Sequence, residues 1–176
     1  SLKLKKPVKS SFVKVVVRKV HSGSAYSDRT AISEIQLLNS KPANYAKSSS
    51  ISASSTMKED NDGNYIANNL QDQIADTAWC DSGKGSDVKL KFDFGKMKKI
   101  NSIRLINGFA AGGKVFFAYS RVKSAKLTFD DGSTHDLKVK GSFLKQKHAF
   151  PPKKTRSVEL TITQVSKGKK MSNVCL

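Results

Sequence analysis

Acidic side chains are scarce in this chain: 14 Asp and Glu stand against 32 Lys and Arg, for a formal net charge of +18. The shortage is local. Residues 1–20 hold seven basic side chains and no acid, and residues 138–176 hold ten against the single Glu159. Residues 44–136 carry eleven of the fourteen acids. Basic ends around a balanced centre imply a positive face for anionic partners such as sulfated glycans, anionic membrane surface or nucleic acid. Nucleic acid binding would be non-specific, because no base-reading motif accompanies the charge. The alternative is a lysine-rich surface that serves solubility alone. Long apolar runs are missing too, which excludes a transmembrane helix. No signal peptide is visible and the chain begins at Ser1, as a processed or excised fragment would.

Catalytic signatures are absent. There is no G-x-S-x-G elbow, no H-E-x-x-H and no phosphate-cradling G-x-x-x-x-G-K-[ST]. Only His21, His135 and His148 occur, in expected loops or strand ends with no nucleophile beside them. Cysteine is limited to Cys80 and Cys175, without the paired spacing of a zinc site. Two readings stay open for them: buried free thiols, or one disulfide closing a long loop, worth about 4 to 5 kcal/mol on the chain-entropy account. Asp130 and Asp131 sit inside a turn, where solvated structural duty is expected. The chain is therefore read as no enzyme.

Helical periodicity is nearly absent, apart from one expected turn near residues 65–71. Val88–Phe94, Lys126–Phe129 and Val158–Ile162 alternate apolar and polar residues with period two, the pattern of half-buried strands. Asp60-Asn61-Asp62-Gly63-Asn64 reads as a turn and Asp130-Asp131-Gly132-Ser133 as a hairpin turn, since Asp, Asn and Gly accept the needed angles. Phe116 and Phe117 would face opposite sides of a strand, one of them into the core. The sum is all-β, a sandwich of jelly-roll type.

The chain also copies part of itself. Val13–Gly23 aligns with Val158–Gly168, and after a one-residue insertion Thr30-Ala31-Ile32 aligns with Val174-Cys175-Leu176. Residues 1–38 are thus the C-terminal strands of a preceding repeat, or they complement the second unit by supplying the strand that it lacks. Their apolar run Val13, Val15, Val16 and Val17 predicts that they pack on the sandwich. Residues 39–56, rich in Ser, Ala, Asn and Lys, read as a linker or an irregular first strand, and 57–176 as the main module.

Ala67, Leu70, Asp72, Thr77 and Trp79 are spaced as A-x-x-L-x-D-x-x-x-x-T-x-W. This resembles the opening signature of discoidin-like (galactose-binding-like) β-sandwiches. Ile103–Ala110, Ser120–Lys123 with Leu127–Ser133, and Lys154–Ile162 follow in order. They resemble the I-x-I-x-N-G-Y, N-x-R-V-K…L-x-F-S-D-G-S and K-T-x-S-V-R-L-T-I blocks of the NADase-type glycan-binding branch. The resemblance covers roughly residues 45–176. Gln73 stands where the family usually has Gly, and Ser120 where it often has Asn. Ser33-Glu34-Ile35 resembles the family's closing strand.

The resemblance implies a non-catalytic carbohydrate-binding module attaching a secreted or surface protein, with its other domains, to glycans. Two alternatives remain: a basic adhesion module driven by charge, and a structural spacer repeat without a ligand. It implies an extracellular or cell-surface location. Candidate glycan contacts are Asn107, Phe109, Tyr119 and Arg121, since Asn supplies donor and acceptor, Arg a fork of donors and the rings an apolar face. Their alternative is loop scaffolding. A structural Ca2+ would be held by Asp72, Thr77 and Glu34, or else Asp72 and Thr77 cap their loop by hydrogen bonds. Trp79 is expected in the core.

Overall fold

Val158, Leu160 and Ile162 are buried, while Glu159, Thr161 and Thr163 between them point to the other side, so the alternation in the sequence becomes one face of a sheet. The same holds for Ala125, Leu127 and Phe129. Each of the Val, Leu, Ile and Phe side chains among them, fully buried, contributes roughly 1.5 to 3 kcal/mol. The computed structural model describes residues 43–61, 63–83 and 85–176, of which Asn44–Leu176 forms a compact unit. The expectations for residues 1–38, including His21, Glu34 and the packing of the valine run, lie outside the described residues.

Six strands occur among the described residues: β1 (Ser50–Ala53), β2 (Lys89–Leu105), β3 (Ser120–Phe129), β4 (Thr134–Lys138), β5 (Gln146–Ser166) and β6 (Val174–Cys175). Their order is β1-β2-β5-β3-β4, antiparallel throughout, with β6 lying parallel beside the start of β3. β2 and β5 run for 17 and 21 residues, far beyond an ordinary strand. They can do so because their register shifts between Asp93 and Lys98 and again between Ile100 and Ser102. Such irregularities bend a strand and increase its twist, which lets the sheet curl over its own apolar face. The result is a discoidin-like jelly-roll β-sandwich.

Trp79 is fully buried among these strands, and its Nε1 donates to the Ser55 carbonyl at 3.1 Å. Its backbone N–H and carbonyl pair with Leu176. Ser50–Ala53, within the segment read as linker or irregular strand, is a regular edge strand on β2. The expected turn near residue 65 is a 3-10 turn at Ala67–Leu70. Phe116 and Phe117 lie on a short helix, α1 (Gly113–Ala118), and not on a strand; one is still buried and the other exposed. Among the described residues no helix is long and apolar enough to cross a membrane.

Candidate functional site

Four loops meet at one end of the sandwich: 81–87 before β2, 106–119 with α1, 139–145 after β4, and 167–173 after β5. Buried polar groups tie them together. The Asp81 carboxylate, fully buried, accepts from the N–H of Gly85 at 2.8 Å and of Val174 at 2.5 Å. Ser120, also buried, donates its hydroxyl to the Met171 carbonyl and accepts from the Gly168 N–H. The N–H groups of Lys169, Lys170 and Met171 pair with the carbonyls of Phe117 and Ala118. Loop 167–173 is therefore held against α1 by its own backbone, which leaves Lys167, Lys169, Lys170 and Ser172 exposed.

Those side chains form a groove of about 400 Å³ lined by Ser86, Val165, Lys167, Lys169, Lys170 and Ser172. None of the three lysines makes an ion pair among the described residues. Beside the groove is an aromatic ledge. Phe117 is 49% exposed, with Phe143 and Leu144 exposed nearby, and Phe116 packs edge-on against both Phe117 and Phe143. Lys169 Nζ stands 5.9 Å from the Phe117 ring centre, so ledge and groove share a cation.

Arg121 borders the ledge. Its guanidinium lies over Phe116 at 4.9 Å and Phe117 at 5.6 Å, and one nitrogen donates to the carbonyls of Phe116 and Tyr119. The remaining donors of the fork have no partner among the described residues. Phe109 and Tyr119 are half-buried. With Tyr65 they form an aromatic row, at 6.1 and 5.7 Å between ring centres, packed on the Cys80–Cys175 disulfide. Burial, helped by hydrogen bonds to Asp60 and Tyr119, pushes the Tyr65 phenol far above its ordinary value, so it stays a neutral donor to Asp60.

Asn107 belongs to the interior. It is fully buried, its amide nitrogen donates to the carbonyls of Val122 and Lys140, and its oxygen accepts from the Val122 N–H. No polar atom is left to offer a sugar, which corrects the expectation of a ligand-facing amide. The adjoining Gly108 has φ +86°, and a Cβ there would meet Arg121 Cγ at 2.9 Å. The Asn107-Gly108 pair thus lets the chain turn tightly under Arg121.

Asp72 and Thr77 sit in a separate, exposed loop. One Asp72 oxygen accepts from Thr77 Oγ1 at 2.6 Å and the other from the Ile74 N–H at 2.8 Å. Ca2+ needs six to eight oxygens, and no three His, Cys, Asp or Glu gather as a metal shell among the described residues. Asp72 and Thr77 cap the loop by their own hydrogen bonds, and Glu34, the third ligand expected for Ca2+, lies outside the described residues. Gln73 within it has φ +66°, the left-handed region that Gly adopts most easily. This accounts for the glycine expected there.

Sequence reading missed Lys167, Lys169, Lys170, Phe117 and Phe143 as a group. The Lys167-Gly168-Lys169-Lys170 run was visible, but only the folded chain brings it beside α1.

Residues 44–176 match the family model of the NAD glycohydrolase translocation F5/8 type C domain. No curated protein sequence matches the chain. Among solved structures, the chain is similar to the family 32 carbohydrate-binding module of Clostridium perfringens NanJ in complex with galactose. Identity is 17% and the TM-score 0.53, over 75% of this chain and 97% of that one. A second Clostridium perfringens module, in complex with GalNAc-beta-1,3-galactose, shares 13% identity at a TM-score of 0.57, over 74% and 94%. Chitosan-binding module 2 of a Paenibacillus sp. IK-5 chitosanase/glucanase, in complex with chitotriose, shares 16% at 0.54, over 74% and 95%.

Proposed function

This chain belongs to the NAD glycohydrolase translocation F5/8 type C domain family, and from that premise we propose that it is a non-catalytic carbohydrate-binding module. It holds a secreted or surface protein to glycans through the loop end of its sandwich. The observation that carries this reading is the exposed Phe117 ring, flanked by Arg121 and by Lys169, which also lines the groove. A sugar needs such a pairing: an apolar face for its C–H groups and fixed donors for its hydroxyls. The free donors of Arg121 and the lysine ammoniums supply the second part.

Binding without hydrolysis is supported by the chemistry of the site. Glycoside hydrolysis ordinarily uses two carboxyl groups flanking the scissile bond. The Asp81 carboxylate, which bonds Gly85 in the groove's lining, is buried with both oxygens engaged by backbone N–H groups. The disulfide favours an oxidising compartment and so an extracellular or surface location. The glycan complexes of the fold neighbours are in keeping with this reading.

Glycan-array screening at two salt concentrations tests it. Binding of a neutral glycan that survives high salt supports a pocket of defined shape. Salt-labile sulfated binding alone would favour charge-driven adhesion, and silence a spacer module.

A further inference from the structure

A second surface, along the β2–β5 ladder up to the loops that follow β2 and precede β5, departs from ordinary strand pairing. Along the β2–β5 ladder, Lys99 stands directly opposite Lys154, and Arg104 directly opposite Lys147. All four side chains are exposed. Directly opposed residues hold their Cβ atoms about 4.5 to 5.5 Å apart, and like charges there destabilise the sheet. Ordinary sequences offset such pairs with nearby acids. Here residues 94–105 and 146–158 contain no Asp or Glu. The closest acids are already engaged, Asp93 with Arg156, Glu159 with Lys89 and Asp131 with Lys153.

Both pairs face the same way. Ile100, Ile103 and Leu105 pack on the core, so Lys99 and Arg104 point outward on either side of the irregularity at Ile100–Ser102. The two rows are separated by five residues of β2, roughly 16 Å at about 3.3 Å per residue. An unbranched polyanion laid along this ladder would meet both.

We propose that the outer face of the β2–β5 ladder docks a linear sulfated polysaccharide. Its negative groups neutralise the opposed cations, which have no acidic partner among the described residues. The occupant is chosen by what the strip lacks. Among the described residues the one well-exposed large apolar side chain on this ladder is Met97, and Phe94 is half-buried against Tyr45, so the strip offers no open aromatic platform for bases and no wedge for a bilayer. None of these four cations lines the loop-end groove, and either surface can stand without the other.

The test uses the full chain on heparin. Two charge-matched variants are compared: Lys99→Gln, Arg104→Gln, Lys147→Gln and Lys154→Gln together, and Lys3→Gln, Lys5→Gln, Lys6→Gln and Lys9→Gln together. The ladder variant should elute at lower salt than the matched one, and its log–log salt slope should fall by about 4, near one per cation removed. Its melting temperature should hold or rise, because the repulsion is gone. On the unaltered chain, heparin should protect Lys99, Lys147 and Lys154 from acetylation. Equal elution of the two variants, or labelling unchanged by heparin, overturns the proposal. So does tighter ladder-dependent binding to single-stranded DNA or to phosphatidylserine vesicles than to heparin.

Discussion

Gly168 lies so close to the carbonyl of Ala118 that a Cβ on it would stand 2.2 Å from that oxygen. The same Gly168 donates its N–H to the buried hydroxyl of Ser120. Two elements distant in sequence therefore touch backbone to backbone, and the lysine loop owes its position to this contact. Gly168→Ala should force the loop off α1, lowering the melting temperature and weakening glycan binding together. An unchanged melting temperature would show that the loop accommodates a methyl group, and that the close approach does not hold the groove.

Asn107 sets a complementary expectation. Asn107→Ala strips the Val122 N–H of its acceptor inside the fold, so the variant should lose about 1 to 3 kcal/mol in urea unfolding. The molecules that remain folded should keep their glycan affinity, since Asn107 faces no ligand. Weakened binding at full stability would return Asn107 to the site.

Much of this architecture was legible beforehand for a simple reason: period-two alternation reports burial on one side of a strand, and Val158–Ile162 and Lys126–Phe129 keep it strictly. Trp79 was legible through its motif. The site was less so. Asn107 and Arg121 stand out as polar residues near strand ends, yet letters do not distinguish an amide that bonds β3 from one that meets a sugar. The groove depends on long-range hydrogen bonds such as Ser120 to Met171 and Asn173 to Asp81, which no local pattern encodes.

Gln73 occupies left-handed backbone at φ +66°, where a side chain costs roughly 1 to 2 kcal/mol. Gly gives part of that back through its greater freedom when unfolded. Gln73→Gly should therefore raise stability modestly, by up to about 1 kcal/mol in urea unfolding. A loss of stability would mean that the Gln73 side chain contributes more than its backbone strain costs.

His148 predicts an acid-sensitive fold. Burial, and then the neighbouring His135, hold its imidazole below its ordinary value, and its Nε2 is enclosed without a hydrogen-bond partner among the described residues. The folded state thus favours the neutral ring. Its contribution is present above the unfolded pKa, near 6.5, and is lost as pH falls from there through the lower folded value. The melting temperature should drop between pH 7 and pH 5, and His148→Phe should flatten that drop. An identical pH profile in the variant would remove His148 from the acid response.

The central claim is that glycans bind at the Phe117 ledge. Calorimetric titration of a neutral glycan into the full chain and into Phe117→Ala, at high salt, measures it directly. Phe117 is half exposed, so its removal should leave the melting temperature nearly unchanged. The account predicts at least tenfold weaker binding by the variant, about 1.4 kcal/mol. Equal affinity in the two proteins, with both folded, would contradict it.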